Sequence, residues 1–371
     1  SQTDTEVITV LLTERLKKSE PLKAVFETLE MLKGSFALGI IFKNFKDFVI
    51  GARRGSPLAV GYSNSENYLG SDSYALKSMT NKISYLDDGD VCVLSKDEVK
   101  FYNSNKDKIN KEIFTLSEDL SSVSKGNYKN FMIKEIFEQP ITTKTCLKEY
   151  IDKIREEINF YNLPIEAKKI NKIVLIGCGT AYHSCLVAKY WVEEFTTLNV
   201  ETDIASEFRY RSPVLDSKTL VIAVGQSGET ADTLAGMEHA RNSGARLLTI
   251  CNIPGSQAAR MAEGALYINA GLEIGVASTK TFTATLTTLY LLSLHIASQR
   301  EAITVEETKS KIQDLSAIPA KMGSILASQE QYSTLAKQYS PYDHFFYLGR
   351  GIHYPIALEG CLLYTSPSPR D

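Results

Sequence analysis

The sequence predicts an α/β protein: an antiparallel β region with helices, then a doubly wound parallel sheet, then the start of another α/β unit. Two changes of rhythm carry that reading. Between Ser35 and Tyr102 short β-like runs follow one another with no helical stretch between them, as the strands of an antiparallel sheet do. From Ile170 onward short β-branched apolar runs alternate with helical stretches, the pattern of parallel strands joined by crossover helices.

Taken in order, amphipathic patterns over Glu6–Lys18 and Pro21–Leu32 predict two helices. Strands are expected at Ser35–Phe42, Asp47–Ala52, Leu58–Tyr62, Tyr68–Gly70, Ile83–Tyr85, Asp90–Leu94 and Val99–Tyr102, with Asp88-Gly89 as a turn signal. A more polar stretch follows, in which Gly126-Asn127 and Pro140 act as breakers around two expected helices, Lys129–Glu138 and Cys146–Phe160. In the alternating region strands are expected at Lys172–Ile176, Thr219–Val224, Arg246–Cys251 and Leu266–Asn269. The helices of that region are expected at Ser184–Phe195, Ala231–Asn242 and from Thr281 to Ser298. A helical connection leads to one more expected strand, Phe345–Leu348. The corresponding divisions are 1–105, 106–165, 166–300, 301–340, 341–363 and 364–371.

With 43% hydrophobic and 23% charged residues over 371 positions, the composition is that of a soluble globular protein with real cores. A formal net charge of −3 argues against a nucleic-acid partner, which calls for a basic excess. The longest apolar run, Leu286 to Ile296, is broken by Thr and Ser and falls short of the ~18 residues of a membrane span. The first six residues, Ser1 to Glu6, are polar and acidic, unlike a secretory leader. Cys92, Cys146, Cys178, Cys185, Cys251 and Cys361 form no CxxC pair, which points to free thiols in a reducing, cytoplasmic setting. The five histidines lie far apart in sequence, so no metal site is expected, nor any cofactor.

In an open parallel sheet ligands bind beyond the C-terminal ends of strands, at helix N-termini. Two segments stand at such places. Gly177-Cys178-Gly179-Thr180-Ala181-Tyr182-His183-Ser184 offers glycines for close backbone approach and the Thr180 hydroxyl. Gly225-Gln226-Ser227-Gly228-Glu229-Thr230 offers Ser227 and Thr230. Neutral N–H and O–H groups of this kind suit a phosphate. Ser and Thr are also ordinary N-caps, and Gly ordinary relief at a turn, so either loop alone is ambiguous; two after successive strands favour a ligand. A third segment, Glu273-Ile274-Gly275-Val276-Ala277-Ser278-Thr279-Lys280, enters the long helix, and spacing alone does not separate a closing loop from a plain N-cap. A dinucleotide fingerprint is disfavoured because Tyr182 takes its third glycine position, and a Walker loop is absent from the sequence.

These segments together resemble the glutamine–fructose-6-phosphate aminotransferases, the glucosamine-6-phosphate synthases. The wording runs in family order along nearly the whole chain: Thr3-Asp4-Thr5-Glu6-Val7, Ala52 to Leu58, Ala205 to Arg211, Gln226 to Leu234, Cys251-Asn252, Glu273 to Lys280, Leu348 to Gly351 and Tyr354 to Gly360. The resemblance implies the later part of an N-terminal-nucleophile (class II) glutaminase over 1–105, a helical linker over 106–165 and a first sugar isomerase (SIS) domain over 166–300. It implies a helical connection over 301–340 and the start of a second SIS domain over 341–363. It implies fructose 6-phosphate against Cys178, Gly179, Thr180, Gln226, Ser227, Thr230, Val276 and Ser278, and glutamine held through Asp4. It also implies a homodimer or larger homo-oligomer assembled through SIS domains, with no nucleic acid and no membrane as partners.

Three departures from the family wording bear on function. Gly225 and Ala181 stand where the family often has Ser. After Gly360, Cys361-Leu362-Leu363-Tyr364 runs into Thr365-Ser366-Pro367-Ser368-Pro369-Arg370-Asp371, a stretch not expected to extend a helix. Leu363 stands where the family helix turns a lysine inward. The resemblance therefore implies a fragment lacking both ends, with a foreign tail over 364–371, no catalytic residue present, and binding of phosphosugar without turnover. Ser1 poses as an N-terminal nucleophile, but its followers read as a helix from the middle of the glutaminase. The competing functions are a non-catalytic SIS phosphosugar sensor and an amidotransferase acting on phosphoribosyl pyrophosphate. The β-rich first part speaks against the sensor, and the SIS loops against the second amidotransferase.

Overall fold

The computed structural model describes residues 3–71, 73–76, 79–115, 124–152, 154–161 and 163–366. Ser1 and residues 367–371 of the expected tail lie outside the described residues. The chain divides into two compact units, 1–118 and 119–371.

The first unit opens with helices α1 (Asp4–Leu16) and α2 (Pro21–Leu29). Thr3 caps α1 by accepting the Glu6 N–H at 3.3 Å, and Pro21 begins α2, where its missing N–H has no helical partner to lose. Strands β1 (Phe36–Phe42), β2 (Phe45–Arg54), β3 (Ala59–Tyr62) and β4 (Asn67–Gly70) come next, then the short helix α3 (Ser73–Leu76). After it come β5 (Lys82–Tyr85), β6 (Val91–Ser95), β7 (Val99–Tyr102), β8 (Lys108–Ile109) and β9 (Phe114–Thr115). They pair into two antiparallel sheets, β1-β2-β6-β7-β8 and β4-β3-β5-β9. Alternation sorts the larger sheet: Ile50, Ala52 and Val91 pack with α1 and α2, while Cys92, Leu94 and Phe101 pack with Leu58, Val60 and Leu86. Gly51 lets β2 and β4 approach, since a Cβ there meets Cys92 Sγ at 2.6 Å and Leu69 Cδ1 at 2.9 Å.

The second unit starts with α4 (Phe131–Tyr150) and a small antiparallel pair, β10 (Ile151–Asp152) and β11 (Glu157–Ile158). The alternating region follows: β12 (Lys172–Gly177), α5 (Thr180–Thr196), β13 (Asn199–Ile204), α6 (Ala205–Phe208), β14 (Thr219–Val224) and α7 (Ala231–Asn242). It continues with β15 (Arg246–Cys251), α8 (Gln257–Met261), β16 (Gly264–Tyr267) and α9 (Lys280–Gln299). Four more helices close the described chain, α10 (Val305–Ser316), α11 (Ile318–Leu326), α12 (Gln329–Tyr339) and α13 (His353–Thr365). The five strands are parallel in the order β13-β12-β14-β15-β16. Both faces of this sheet are covered. Ile173, Leu175, Leu220, Ile222, Leu248 and Ile250 face a layer built from α4, α5 and α9. Val174, Ile176, Val221, Ala223 and Leu247 face α6, α7 and α8.

Several sequence expectations are corrected here. The short helix α3 interrupts the run of strands, and β8 and β9 add edge strands to the first unit's sheets inside the stretch expected to be a helical linker over 106–165. One helix, α4, replaces the two expected around Pro140. Proline cannot donate to the carbonyl four residues back, and the Gln139 side-chain amide serves that Ile136 carbonyl instead, at 3.1 Å. The helix stops at Tyr150, and β10 and β11 occupy the rest of the expected second helix. Strand β13 was not foreseen, because Asn199, Glu201, Thr202 and Asp203 make it a mostly polar strand at the sheet edge. The last strand of the sheet ends at Tyr267 rather than Asn269, whose φ of +51° is left-handed. Residues 345–348 form no strand; Phe346 and Leu348 are exposed, and the segment has no ladder partner among the described residues. Finally, α13 continues through Cys361–Thr365. The first proline after Gly360 is Pro367, so its constraint falls on Ser366 and leaves the preceding turn free.

Candidate functional site

Strands β12 and β14 are neighbours, yet the helices that leave them go to opposite faces of the sheet: α5 packs in one layer and α7 in the other. A crevice opens beyond the strand ends wherever chain direction diverges in this way. A cavity of about 180 Å³ lies there. Cys178, Thr180, Ala181 and Ser184 line it from the start of α5, Gly225, Gln226, Thr230 and Thr233 from the β14–α7 segment, and Ser278, Thr281, Phe282 and Thr285 from the start of α9. Three helix N-termini therefore meet at one cavity, and none of its lining residues is charged. A helix N-terminus carries about half a positive charge, although at α9 the Glu273 carboxylate already takes up the Thr279 and Thr281 N–H groups.

Local chemistry fixes these loops. Gly179 adopts φ +54° and ψ −128° at the N-cap of α5, a conformation open to glycine. Gly177 packs directly beneath that helix, where a Cβ meets the Ala181 carbonyl carbon at 3.0 Å. In the second loop Ser227 Oγ accepts the Glu229 N–H at 3.1 Å, and Gly228 takes φ +67° against Ser256. Glu229 Oε1 accepts the Gln257 N–H at 2.7 Å, and the Gln226 carbonyl accepts the Asn252 N–H at 2.8 Å. Asn252 in turn ties to Ala270 N and Gly271 O at 2.9 and 2.6 Å. The loop is thus rigid before any ligand arrives.

The third segment is held by carboxylates. Glu273 accepts from Thr279 N at 2.9 Å, Thr281 N at 3.2 Å and Ser278 Oγ at 3.0 Å, which caps α9. Glu135 of α4 accepts from Ile274 N at 2.6 Å and Gly275 N at 3.2 Å. Burial pushes the Glu135 carboxyl above its ordinary value, against the two backbone N–H groups that favour its charge.

Of the residues singled out from sequence, Cys178, Thr180, Gln226, Thr230 and Ser278 come together at the cavity. Gly179, Ser227 and Val276 do not line it: Gly179 shapes the helix start, Ser227 closes its own turn, and Val276 is exposed on the third segment. Asp4 is exposed at the first turn of α1, in the other unit. Both positions that depart from family wording, Gly225 and Ala181, line the cavity.

One residue of the site escaped the sequence reading. Glu359 of α13 is 2% exposed, and Thr180 Oγ1 donates to its Oε1 at 2.8 Å while His183 Nδ1 lies 2.6 Å from its Oε2. A carboxylate only accepts, so the imidazole N–H donates and the Thr180 proton is committed inward. The Thr180 hydroxyl then offers a ligand a lone pair rather than a proton. A lone Glu in the apolar run Pro355-Ile356-Ala357-Leu358 was the available signal.

All six cysteines are free. Burial pushes the thiols of Cys92 and Cys146 up to about 12 and that of Cys251 to about 11, and raises that of Cys185 as well. Among the described residues no group of His, Cys, Asp and Glu is arranged to hold a metal ion, and no helix is long and apolar enough to cross a membrane.

The SIS domain family model matches residues 167–295. The glutamine–fructose-6-phosphate aminotransferase [isomerizing] of Zymomonas mobilis is 41% identical over 363 residues, 98% of this chain and 60% of its own length. The protein of the same name from Clostridium acetobutylicum is 41% identical over 365 residues, again 98% of this chain and 60% of its own. The chain thus spans about 60% of the length of the curated relatives it matches. The tagatose-6-phosphate ketose/aldose isomerase of Escherichia coli shares the fold, with a TM-score of 0.50 and 23% identity over 63% of each chain. A solved C-terminal domain of glucosamine–fructose-6-phosphate aminotransferase from Francisella tularensis superposes with a TM-score of 0.62 and 35% identity, covering 64% of this chain and 67% of that one. With that match across two thirds of a solved relative, and the SIS domain lying where the cavity is, the chain belongs to the glutamine–fructose-6-phosphate aminotransferase family, whose members are enzymes.

Proposed function

We propose that the whole protein converts fructose 6-phosphate and glutamine to glucosamine 6-phosphate and glutamate, and that the cavity of the second unit holds the phosphosugar. The convergence of three helix N-termini on an uncharged, hydroxyl-lined cavity carries this reading. The N-termini of α5 and α7 meet a phosphate with partial charges already oriented by the fold, while α9, capped by Glu273, contributes side-chain hydroxyls. The committed Thr180 hydroxyl suits a sugar O–H as its donor. In the same reading the first unit is the later part of a glutaminase, in which Asp4 holds the glutamine amino group, and residues 341–363 open a second SIS domain. A cytoplasmic location and a homo-oligomer assembled through the second unit belong to this reading too.

The 371 residues by themselves bind phosphosugar without turning it over. Cys92, Cys146, Cys185 and Cys251 are buried with raised thiols and poorly suited to act as a glutamine-hydrolysing thiolate, so the product assay below bears on Cys178 and Cys361. Leu363 supplies no amine where the family helix carries a lysine. Titration calorimetry with fructose 6-phosphate and with fructose tests the binding. Phosphate-dependent affinity is expected, and Thr230→Ala should weaken it about tenfold by removing one hydroxyl from a charged acceptor. Equal affinity for the two sugars overturns the reading. Glutamate or amino sugar accumulating over a long incubation overturns the claim of binding without turnover.

A further inference from the structure

We propose that Glu135, on the helix that precedes the SIS domain, is a positioning residue for the third wall of the sugar site. The inference rests on the phosphosugar reading of the cavity. Residues 273–279 have no helix or strand, so their backbone N–H groups need partners from elsewhere. Glu135 supplies them at the near end, through Ile274 N at 2.6 Å and Gly275 N at 3.2 Å to each of its oxygens. One turn along α4, Glu138 holds the far end by accepting from Lys280 Nζ at 2.7 Å. Two carboxylates on one face of α4 therefore clamp both ends of the segment whose Ser278 lines the cavity.

Two further facts favour a fitted contact over an incidental one. Glu135 is 2% exposed, and a buried carboxylate is costly unless its oxygens are engaged. Gly275 makes the approach possible: a Cβ there would stand 2.6 Å from Glu135 Oε2. The segment is thus cut to admit that carboxylate, and the helix that supplies it contributes no residue to the cavity wall. Glu135 acts on the sugar through the loop, not by touching it.

The test uses the full chain with fructose 6-phosphate as the probe. Glu135→Ala is expected to weaken binding about tenfold or more, since it releases two charge-assisted bonds. Glu135→Gln keeps an accepting oxygen and should return affinity to within about threefold of the parent. Gly275→Ala, which leaves α4 untouched and pushes the loop off the carboxylate, should weaken binding in the same direction. Amide exchange at Ile274 and Gly275 should quicken in Glu135→Ala while the β12 and β14 amides stay protected. Parental affinity in both alanine variants overturns the proposal, as does loss that Gln fails to rescue. A parent chain indifferent to the phosphate overturns the site reading instead, and unchanged exchange at Ile274 and Gly275 then overturns the clamp as well.

Discussion

In the first unit the buried charge serves the backbone. Arg53, 1% exposed, donates to the Leu86 carbonyl at 2.7 Å, and Arg54 lies over the Phe36 ring while donating to the carbonyls of Leu32 and Leu29 at 2.7 and 3.1 Å. In the second unit the cavity wall carries no cation at all, and Thr, Ser and Gln residues line it instead. The difference follows from strand direction. Antiparallel sheets leave scattered turn carbonyls to be satisfied one at a time, and their dipoles cancel. A parallel sheet sends its helices back the same way, so helix N-termini gather at one edge and share a site. The Ala52–Leu58 wording that marks the first unit thus includes two arginines tied to carbonyls of the unit's own backbone.

That contrast is most directly broken at Arg53. Arg53→Ala should destabilise the first unit by about 3 kcal/mol, from the cavity left behind and an unserved buried carbonyl. Calorimetric unfolding should show the first unit melting earlier with fructose 6-phosphate affinity unchanged, because every lining residue belongs to the second. Affinity that falls together with stability would show that the units do not divide their labour in this way.

A smaller effect is expected at Glu359, the carboxylate bonded to the Thr180 hydroxyl of the wall. Glu359→Ala frees the Thr180 proton and leaves His183 without its acceptor. Binding of fructose 6-phosphate should weaken about tenfold, the size of one charge-assisted hydrogen bond. If Thr180 serves better as a donor, affinity will rise instead, and the orientation argued for its hydroxyl is wrong.

Acid separates the units more gently. All five histidines lie in the second unit. His295 is packed edge-on against Phe160 at 5.1 Å, and burial lowers its pKa below the usual 6.5. The unfolded chain then takes up the proton first as pH falls. The stability gained from a neutral His295 is therefore complete above pH 6.5 and is lost as pH drops through that value and on through the folded pKa. Unfolding followed from pH 7.5 to 5 should show the second unit losing at most about 1.4 kcal/mol per pH unit from this group. His295→Gln should flatten that slope, and an unchanged slope would assign the proton elsewhere.

How much of this was legible beforehand depended on whether a local pattern had a single cause. Strands β1 to β7 of the first unit were, because alternation such as Ile50, Ala52 against Gly51 leaves one face for the core; β8 and β9, two residues each in a polar stretch, were not. The three central strands of the parallel sheet were, since β12, β14 and β15 are nearly all apolar. Strand β13 was not: at an edge its polar residues cost nothing, so the sequence shows no apolar run. The persistence of α4 through Pro140 was hidden as well, because the compensation lies in the neighbouring Gln139 side chain. At the site, the glycine and hydroxyl loops announced themselves by type. Glu359 and Glu135 did not, since each reaches its partner from more than a hundred residues away, at Thr180 and Ile274. Ser227 accepts the Glu229 N–H within its own turn and does not line the cavity, so its type alone did not reveal where it would stand.

The finest test sets two glycines of the same loop against each other. Gly228 has φ +67°, and a Cβ there stands 2.2 Å from Ser256 Oγ, so a side chain strains the turn. Gly225 has no left-handed φ, and a Cβ built on it meets nothing within 4 Å. Its N–H already donates to the Ile250 carbonyl at 2.9 Å, so close approach of a ligand to that N–H is not what the glycine provides. Since Gly225 lines the cavity, Gly225→Ser adds a hydroxyl to the wall at little steric cost. The new bond must repay the ordering of the serine side chain, so the net gain is modest, about threefold in affinity for fructose 6-phosphate. Gly228→Ser should weaken binding or lower stability, with no gain available. Calorimetry on the two variants at one pH and salt decides the matter. Tighter binding at 225 alone would show that this chain lacks one hydroxyl its fold still has room for, and weaker binding at both would mean that the sugar phosphate occupies the space beside Gly225.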